Sequence, residues 1–210
     1  MSAFITIEGI EGCGKSTQAR RLESGLRAQG HDVVLTREPG GSSMTREIRR
    51  LLSDPNCRLE PRAELLLFLA DRAQHVASVV RPALERGAVV ICDRYSDSTV
   101  AYQCHGRGHD VELVLRLNDW AALGLQPDLT LWIDCDVETG LGRARRGSGG
   151  PGDRFEAEPM NFHEAVREGF AQQHRAHPTR IIRVDGNLSE DLVTQAIADV
   201  TADFLARSAS

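Results

Sequence analysis

Lysine is almost absent from this chain: of its 25 basic residues, 24 are arginine and one, Lys15, is lysine. A compositional preference for arginine accounts for the scarcity, yet it excludes one class of protein. Guanine-reading molecular switches carry an Asn-Lys-x-Asp signature, and here the lone lysine follows Gly14 rather than an asparagine. A basic surplus is missing too. The formal net charge of -5 argues against a general nucleic-acid binder, because such proteins use excess positive charge to displace counterions. The five cysteines, Cys13, Cys57, Cys92, Cys104 and Cys135, form no Cys-x-x-Cys pair. An odd, dispersed set indicates reduced thiols and a cytoplasmic setting. No apolar run approaches the ~20 residues needed to span a bilayer, and the first residues lack a basic stretch followed by an apolar one. The expectation is a soluble protein with no membrane and no nucleic-acid partner. Its 210 residues suffice for one domain carrying a mobile insertion.

The position of the surviving lysine is informative. It lies in Gly9-Ile10-Glu11-Gly12-Cys13-Gly14-Lys15-Ser16, which fills every fixed position of the nucleotide-binding P-loop pattern. Phe4 to Glu8 reads as a short buried strand, and the glycines after it let successive backbone N–H groups turn inward toward an anion. The helix that begins near Lys15 adds the positive end of its dipole. An ammonium on a flexible stem can follow a phosphoryl group as it moves, whereas a guanidinium is committed to a fork. Ser16 would place its hydroxyl on the Mg²⁺ that accompanies the nucleotide.

Strand-like and helical runs alternate along the rest. Helices are expected at about Lys15 to Gln29, Pro61 to Arg86, Val111 to Leu123, Glu138 to Arg145, Phe162 to His174 and Glu190 to Ala206. Between them lie the strand candidates Asp32 to Thr36, Ala88 to Cys92, Leu129 to Ile133 and Arg180 to Val184. Continuous apolar runs mark strands covered on both faces. The expected architecture is α/β, a five-stranded parallel sheet with helices on both sides and ligands at the carboxyl ends of the strands. The glycine-rich run Gly147 to Gly152 reads as a flexible loop.

Cys92-Asp93-Arg94-Tyr95 closes the third strand. An acid there can hold Mg²⁺ directly or through water, and the adjacent arginine can reach a phosphate across the site; a structural ion pair has the same appearance. Thr36 to Gly41, the spaced Glu64, Phe68 and Arg72, and Asp97 to Gln103 add polar and aromatic groups. Phe68 and Arg72, four apart, share a helix face, although Phe68 also sits in an apolar run that fits a core position.

Together the P-loop, Thr36-Arg37-Glu38-Pro39-Gly40-Gly41, Asp93-Arg94-Tyr95, Ala101-Tyr102-Gln103 and Pro127-Asp128-Leu129-Thr130 resemble the bacterial thymidylate kinase family, from Phe4 to about Leu205. The resemblance implies a P-loop NTPase fold, a three-layer α/β/α sandwich. It further implies one nucleoside monophosphate kinase domain over residues 1–210 and a homodimer. The implied activity is transfer of the γ-phosphoryl group of ATP to dTMP, giving dTDP and ADP, with Mg²⁺ held near Ser16 and Asp93. Gly9, Ile10, Glu11, Gly12, Cys13, Gly14, Lys15, Ser16 and Thr17 would surround the ATP phosphates, with Arg143 beside them and Asn187 near the adenine. Phe68 would stack on thymine while Arg72, Thr99 and Gln103 bond its polar edge. Stacking supplies adhesion, and the hydrogen bonds supply choice. Tyr102 would crowd a 2′-hydroxyl; Arg37, Arg49 and Arg94 would grip the acceptor phosphate, with Glu38 in the same site. Glu11 would approach the sugar or the Mg²⁺ shell.

Some family members carry an arginine in the P-loop where this chain has Gly12, so the charge of the transition state must be met from elsewhere. Arg143-Ala144-Arg145-Arg146 and Asp153-Arg154-Phe155-Glu156 resemble a basic lid at about residues 142–156, with Arg154 the first choice for its catalytic arginine, beside Lys15 and Arg94. Closing such a lid excludes water and brings positive charge to the transferring group. Two other classes fit less of the chain. A kinase for another nucleotide would keep the P-loop and lid but change Phe68, Arg72, Thr99 and Gln103; a switch protein would keep only the P-loop and metal site.

Overall fold

The structure, a computed structural model, describes residues 2–147 and 154–208. The middle of the expected lid, residues 148–153 with Asp153, lies outside the described residues. Strands β1 (Ala3–Glu8), β2 (Val33–Arg37), β3 (Val89–Asp93), β4 (Leu129–Asp134) and β5 (Ile181–Asp185) form one sheet in the order β2-β3-β1-β4-β5. Every pairing is parallel. That matches the expected α/β class and sheet.

The central strand explains the layering. All six residues of β1 are buried, and alternate side chains point to opposite faces. Ile5 and Ile7 pack in one cluster with Leu22 and Leu26 of helix α1 (Lys15–Ala28) and Ile197 of the last helix, Glu190–Ser208. Phe4 faces the other way, into Val76, Val80, Ala83, Val90 and Cys92. Each such fully buried side chain contributes about 1.5–3 kcal/mol. The result is a sheet sandwiched between two helical layers.

The second layer is built from α3 (Pro61–His75), which follows the short α2 (Arg46–Ser53) and runs through a π-helical segment, Val76–Val80, into α4 (Arg81–Glu85). Pro61 at the first position and the Glu60 side chain, which accepts from the Arg62 and Ala63 amides, explain where α3 starts. After β3 come α5 (Ser96–Thr99) and a second π-helical segment, Val100–Gly106, then α6 (Val111–Ala122), α7 (Val137–Gly147), the 3₁₀ turn Arg154–Ala157, α8 (Met160–Ala176) and α9 (Glu190–Ser208). Helix α2 and the Ser96–Gly106 helical stretch were not expected. Among the described residues all five cysteines are free thiols, and no helix is long and apolar enough to cross a membrane.

Candidate active site

The carboxyl ends of β1, β2 and β3 open onto a cavity of about 260 Å³. At its β1 side, Gly12 and Gly14 have φ of 67° and 100°, left-handed values at which other residues are strained. Gly12 admits no side chain for a second reason, since an added Cβ would lie 1.9 Å from the Gly140 carbonyl oxygen of α7. A P-loop arginine at that position is therefore excluded sterically. Lys15, at the first turn of α1, is buried and its Nζ donates to Ile10 O at 2.6 Å, with Cys13 Sγ at 3.5 Å.

One residue along, Ser16 Oγ donates to Asp93 Oδ2 at 2.5 Å. Two hard oxygen donors converge there beside the phosphate loop, a donor set suited to Mg²⁺ completed by phosphate and water. Among the described residues no group of three or more His, Cys, Asp or Glu gathers into a protein-only metal cage.

Arg94 adopts φ of 72°, a conformation a non-glycine residue keeps only when its surroundings over-determine it. They do. Its backbone N donates to Ile7 O, Nη1 donates to Gly9 O at 2.9 Å and Ser98 Oγ at 3.1 Å, and Nη2 donates to Glu11 Oε1 at 3.0 Å. The guanidinium also lies 4.9 Å above the Tyr102 ring. Beneath this turn, Glu8 is fully buried; its Oε1 accepts from the Tyr95 amide at 2.7 Å and its Oε2 meets Ser98 Oγ at 2.5 Å. Burial, and then nearby Asp97, push the Glu8 carboxyl up to about 8.

Glu11 behaves oppositely. Burial works to raise its carboxyl, but His163, Arg94, Lys15 and Tyr102 outweigh that and bring it down to about 2. Tyr102 donates to Glu11 Oε1 at 2.6 Å, and His163 Nδ1 lies 3.2 Å from Oε2. An anion is thereby fixed between the P-loop and the far wall.

That far wall is aromatic and polar. Phe68 is partly buried and borders the cavity, its ring 6.1 Å from that of Phe155. Arg72 is 1 % exposed; its Nε and Nη2 donate to Glu38 Oε2 at 3.0 and 2.7 Å, and its Nη1 donates to Thr99 Oγ1 at 2.9 Å and Asn118 Oδ1 at 2.5 Å. Gln103 is completely buried, and its Oε1 accepts no hydrogen bond although the residue lines the cavity. Arg37 and Arg49 border the same space, Arg49 Nη1 also donating to Pro39 O at 2.9 Å.

One cavity therefore gathers Glu11, Gly12, Lys15, Ser16, Arg37, Glu38, Arg49, Phe68, Arg72, Asp93, Arg94, Thr99, Tyr102 and Gln103. Arg143 and Asn187 do not line it: Arg143 Nη1 donates to Gly186 O at 2.9 Å, and Asn187 Oδ1 accepts from the Asp136 amide at 3.1 Å. Arg154 is not among the residues that line this cavity. Its Nη1 pairs with Glu64 Oε2 at 2.6 Å, its Nε donates to Leu52 O at 3.0 Å, and its guanidinium lies 4.7 Å over Phe155. The buried Glu64 carboxylate draws it to the aromatic end. Sequence reading took in Ser98 only within the Asp97 to Gln103 run and gave no signal for Asn118 or His163, whose partners Arg72 and Glu11 lie 46 and 152 positions away in the chain.

A model of the thymidylate kinase family matches residues 7–197. Thymidylate kinase of Trichlorobacter lovleyi is 50% identical over 208 residues, covering 97% of this chain and 98% of that protein. Thymidylate kinase of Gloeobacter violaceus is 50% identical over 202 residues, with 96% and 95% covered, and that of Geobacter sulfurreducens 48% over 212 residues, with 99% and 100% covered. With its P-loop, its parallel sheet and this match along nearly its whole length, the chain belongs to the thymidylate kinase family.

Proposed function

We propose that this protein transfers the γ-phosphoryl group of ATP to dTMP, forming dTDP and ADP for dTTP synthesis, with the donor phosphates at the P-loop and the acceptor in the adjoining cavity. The observation that carries this reading is the continuity of that cavity, from Lys15 and Ser16 at one end to Phe68, Arg72 and Gln103 at the other. A buried amide oxygen without a donor, on Gln103, suits the ring N–H of thymine, because leaving it unpaired is costly.

The acceptor phosphate oxygen is already anionic and needs no strong base, so the work of the site is positioning and charge neutralisation. Arg37, Arg49 and Arg94 hold the acceptor phosphate, and the strained, four-times-tethered Arg94 does so without reorganising. Lys15 meets the charge that spreads onto the transferring group. Glu11 keeps Arg94 and Tyr102 in place, and Tyr102 crowds a 2′-hydroxyl. Ser16 and Asp93 would hold Mg²⁺, which would supply neutralisation of the donor phosphates. Thr17 and the backbone from Gly9 to Gly14 complete the cradle, with Arg143 and Asn187 on the nucleoside side of ATP. For Arg154 to serve the phosphates it must leave Glu64 as the lid, residues 142–156, closes; the unit is a single domain acting in the cytoplasm.

A coupled ADP-release assay with Mg-ATP and a panel of monophosphates tests the reading. Expected is the highest kcat/KM with dTMP, with dUMP behind by roughly fivefold because a methyl group is worth only ~1 kcal/mol, and purine monophosphates far lower. Equal or greater turnover with another monophosphate refutes it.

The exposed Leu66 of α3 and Val111, Leu115 and Trp120 of α6, with Trp120 76% exposed, lie on two helices that pack together and support assembly as a homodimer. Trp120→Glu is expected to sediment as a monomer where the unaltered protein sediments as a dimer; a monomeric unaltered protein, or a variant that stays dimeric, contradicts this surface.

A further inference from the structure

Glu64 lies on α3 and is 1 % exposed, yet its carboxylate is held entirely by side chains. Its Oε1 accepts from Gln103 Nε2 at 2.7 Å and Arg107 Nε at 3.1 Å, and its Oε2 accepts from Arg107 Nη2 at 3.3 Å and Arg154 Nη1 at 2.6 Å. Gln103 itself projects from the π-helical segment Val100–Gly106, fully buried, with an oxygen that has no partner. A side-chain amide has a donor end and an acceptor end, and a half-turn exchanges them. An ionised carboxylate can only accept, so it selects the orientation that turns the Gln103 nitrogen toward Glu64 and leaves the oxygen, on a residue that lines the cavity, as the unpaired acceptor.

We propose that Glu64 is a positioning residue that sets the direction of the Gln103 amide, so that the cavity demands a base carrying a ring N–H donor. The inference rests on the dTMP reading of this cavity. Thymine presents N3–H at its polar edge, whereas the N3 of cytosine is an acceptor. With the amide held this way, a cytosine base sets acceptor against acceptor in a buried place. The arrangement persists across the neutral range: burial alone would raise the Glu64 carboxyl, but hydrogen bonds from Arg107 and Gln103 and the charge of Arg107 hold it below the usual carboxylate range. Arginine pairing gives the anion a second function, since the carboxylate that orients the base reader also anchors Arg154 at the edge of the lid.

The test compares kcat/KM for dTMP and dCMP in the unaltered protein and in Glu64→Ala, Glu64→Leu and Glu64→Gln. Without an acceptor at position 64 the amide is free to turn, and the dTMP to dCMP ratio is expected to fall at least about tenfold in the Ala and Leu variants. The change should appear mainly in the KM for dTMP, with the KM for ATP within about twofold of normal. Glu64→Gln keeps an amide oxygen that can accept from Gln103, so it should retain the normal ratio within about threefold. A normal ratio in the Ala and Leu variants overturns the inference, as does loss of their ATP-stabilised melting transition, which would make Glu64 a structural ion-pair centre. If the unaltered protein itself does not prefer dTMP, the base assignment falls first.

Discussion

Lys15→Met is expected to lower kcat by about 10²–10³-fold, the scale seen when one preorganised charge or donor is removed from a developing anion, with the melting temperature nearly unchanged. Lys15 is buried within the loop, but its contacts are to the loop itself, Ile10 O and Cys13 Sγ, so the sheet and helices do not depend on it. Lys15→Arg should restore only a small part of the rate. A guanidinium is larger and directional where a compact ammonium can track a phosphoryl oxygen between donor and acceptor. Initial rates together with ATP titration by calorimetry check both variants. A kcat within about threefold of normal in Lys15→Met would remove Lys15 from the chemistry.

The second large effect is on stability and on the acceptor together. Arg72→Ala removes the partner of Glu38, whose side chain is 3% exposed, and leaves that carboxylate with His75 Nδ1 at 2.8 Å. Breaking a buried pair from one side costs about 3–5 kcal/mol, which corresponds to a fall in melting temperature of roughly 10 °C for a chain of this size. The pH dependence follows from the sign of the shift. Burial works to raise the Glu38 carboxyl, but Arg72 and His75 hold it below its ordinary value. A depressed carboxylate contributes stability above its unfolded-state value, and that contribution disappears as pH falls through the folded-state value. The stability gap between Arg72→Ala and the unaltered protein should therefore be widest near neutral pH and close on acidification. Meanwhile kcat/KM for dTMP should fall much further than the affinity for ATP. Thermal melts at several pH values and paired titrations decide; equal losses of dTMP and ATP binding would move Arg72 out of the base site.

Much of this was legible in the chain because the signals were local. The P-loop needs its glycines and lysine at fixed spacing, and the structure places Gly12 and Gly14 at positive φ as the turn requires. The apolar runs of β1, β3 and β4 announced buried parallel strands, and all five strands appear in the expected segments. What escaped was the helical stretch Ser96–Gly106. Its Ser-Asp-Ser-Thr start looks like a loop, but Asp97 is bound by Arg180, Ser98 by Glu8 and Thr99 by Arg72, so tertiary partners satisfy groups that local reading assigns to solvent. Arg154 shows the same limit from the other side. Family resemblance brought it to the lid, whereas its resting place is set by Glu64, 90 positions earlier in the chain, which no periodicity reveals.

The central claim is spatial, that the phosphate cradle at Lys15 and the wall formed by Phe68, Arg72 and Gln103 hold donor and acceptor of one reaction. A crystal structure with dTMP and a non-hydrolysable ATP analogue tests it most directly. The account predicts the thymine ring against Phe68 with its N3 at Gln103 Oε1, and the dTMP phosphate among Arg37, Arg49 and Arg94, facing the terminal phosphate of the analogue. Density for dTMP outside that cavity, or with its phosphate turned away from the P-loop, would contradict it.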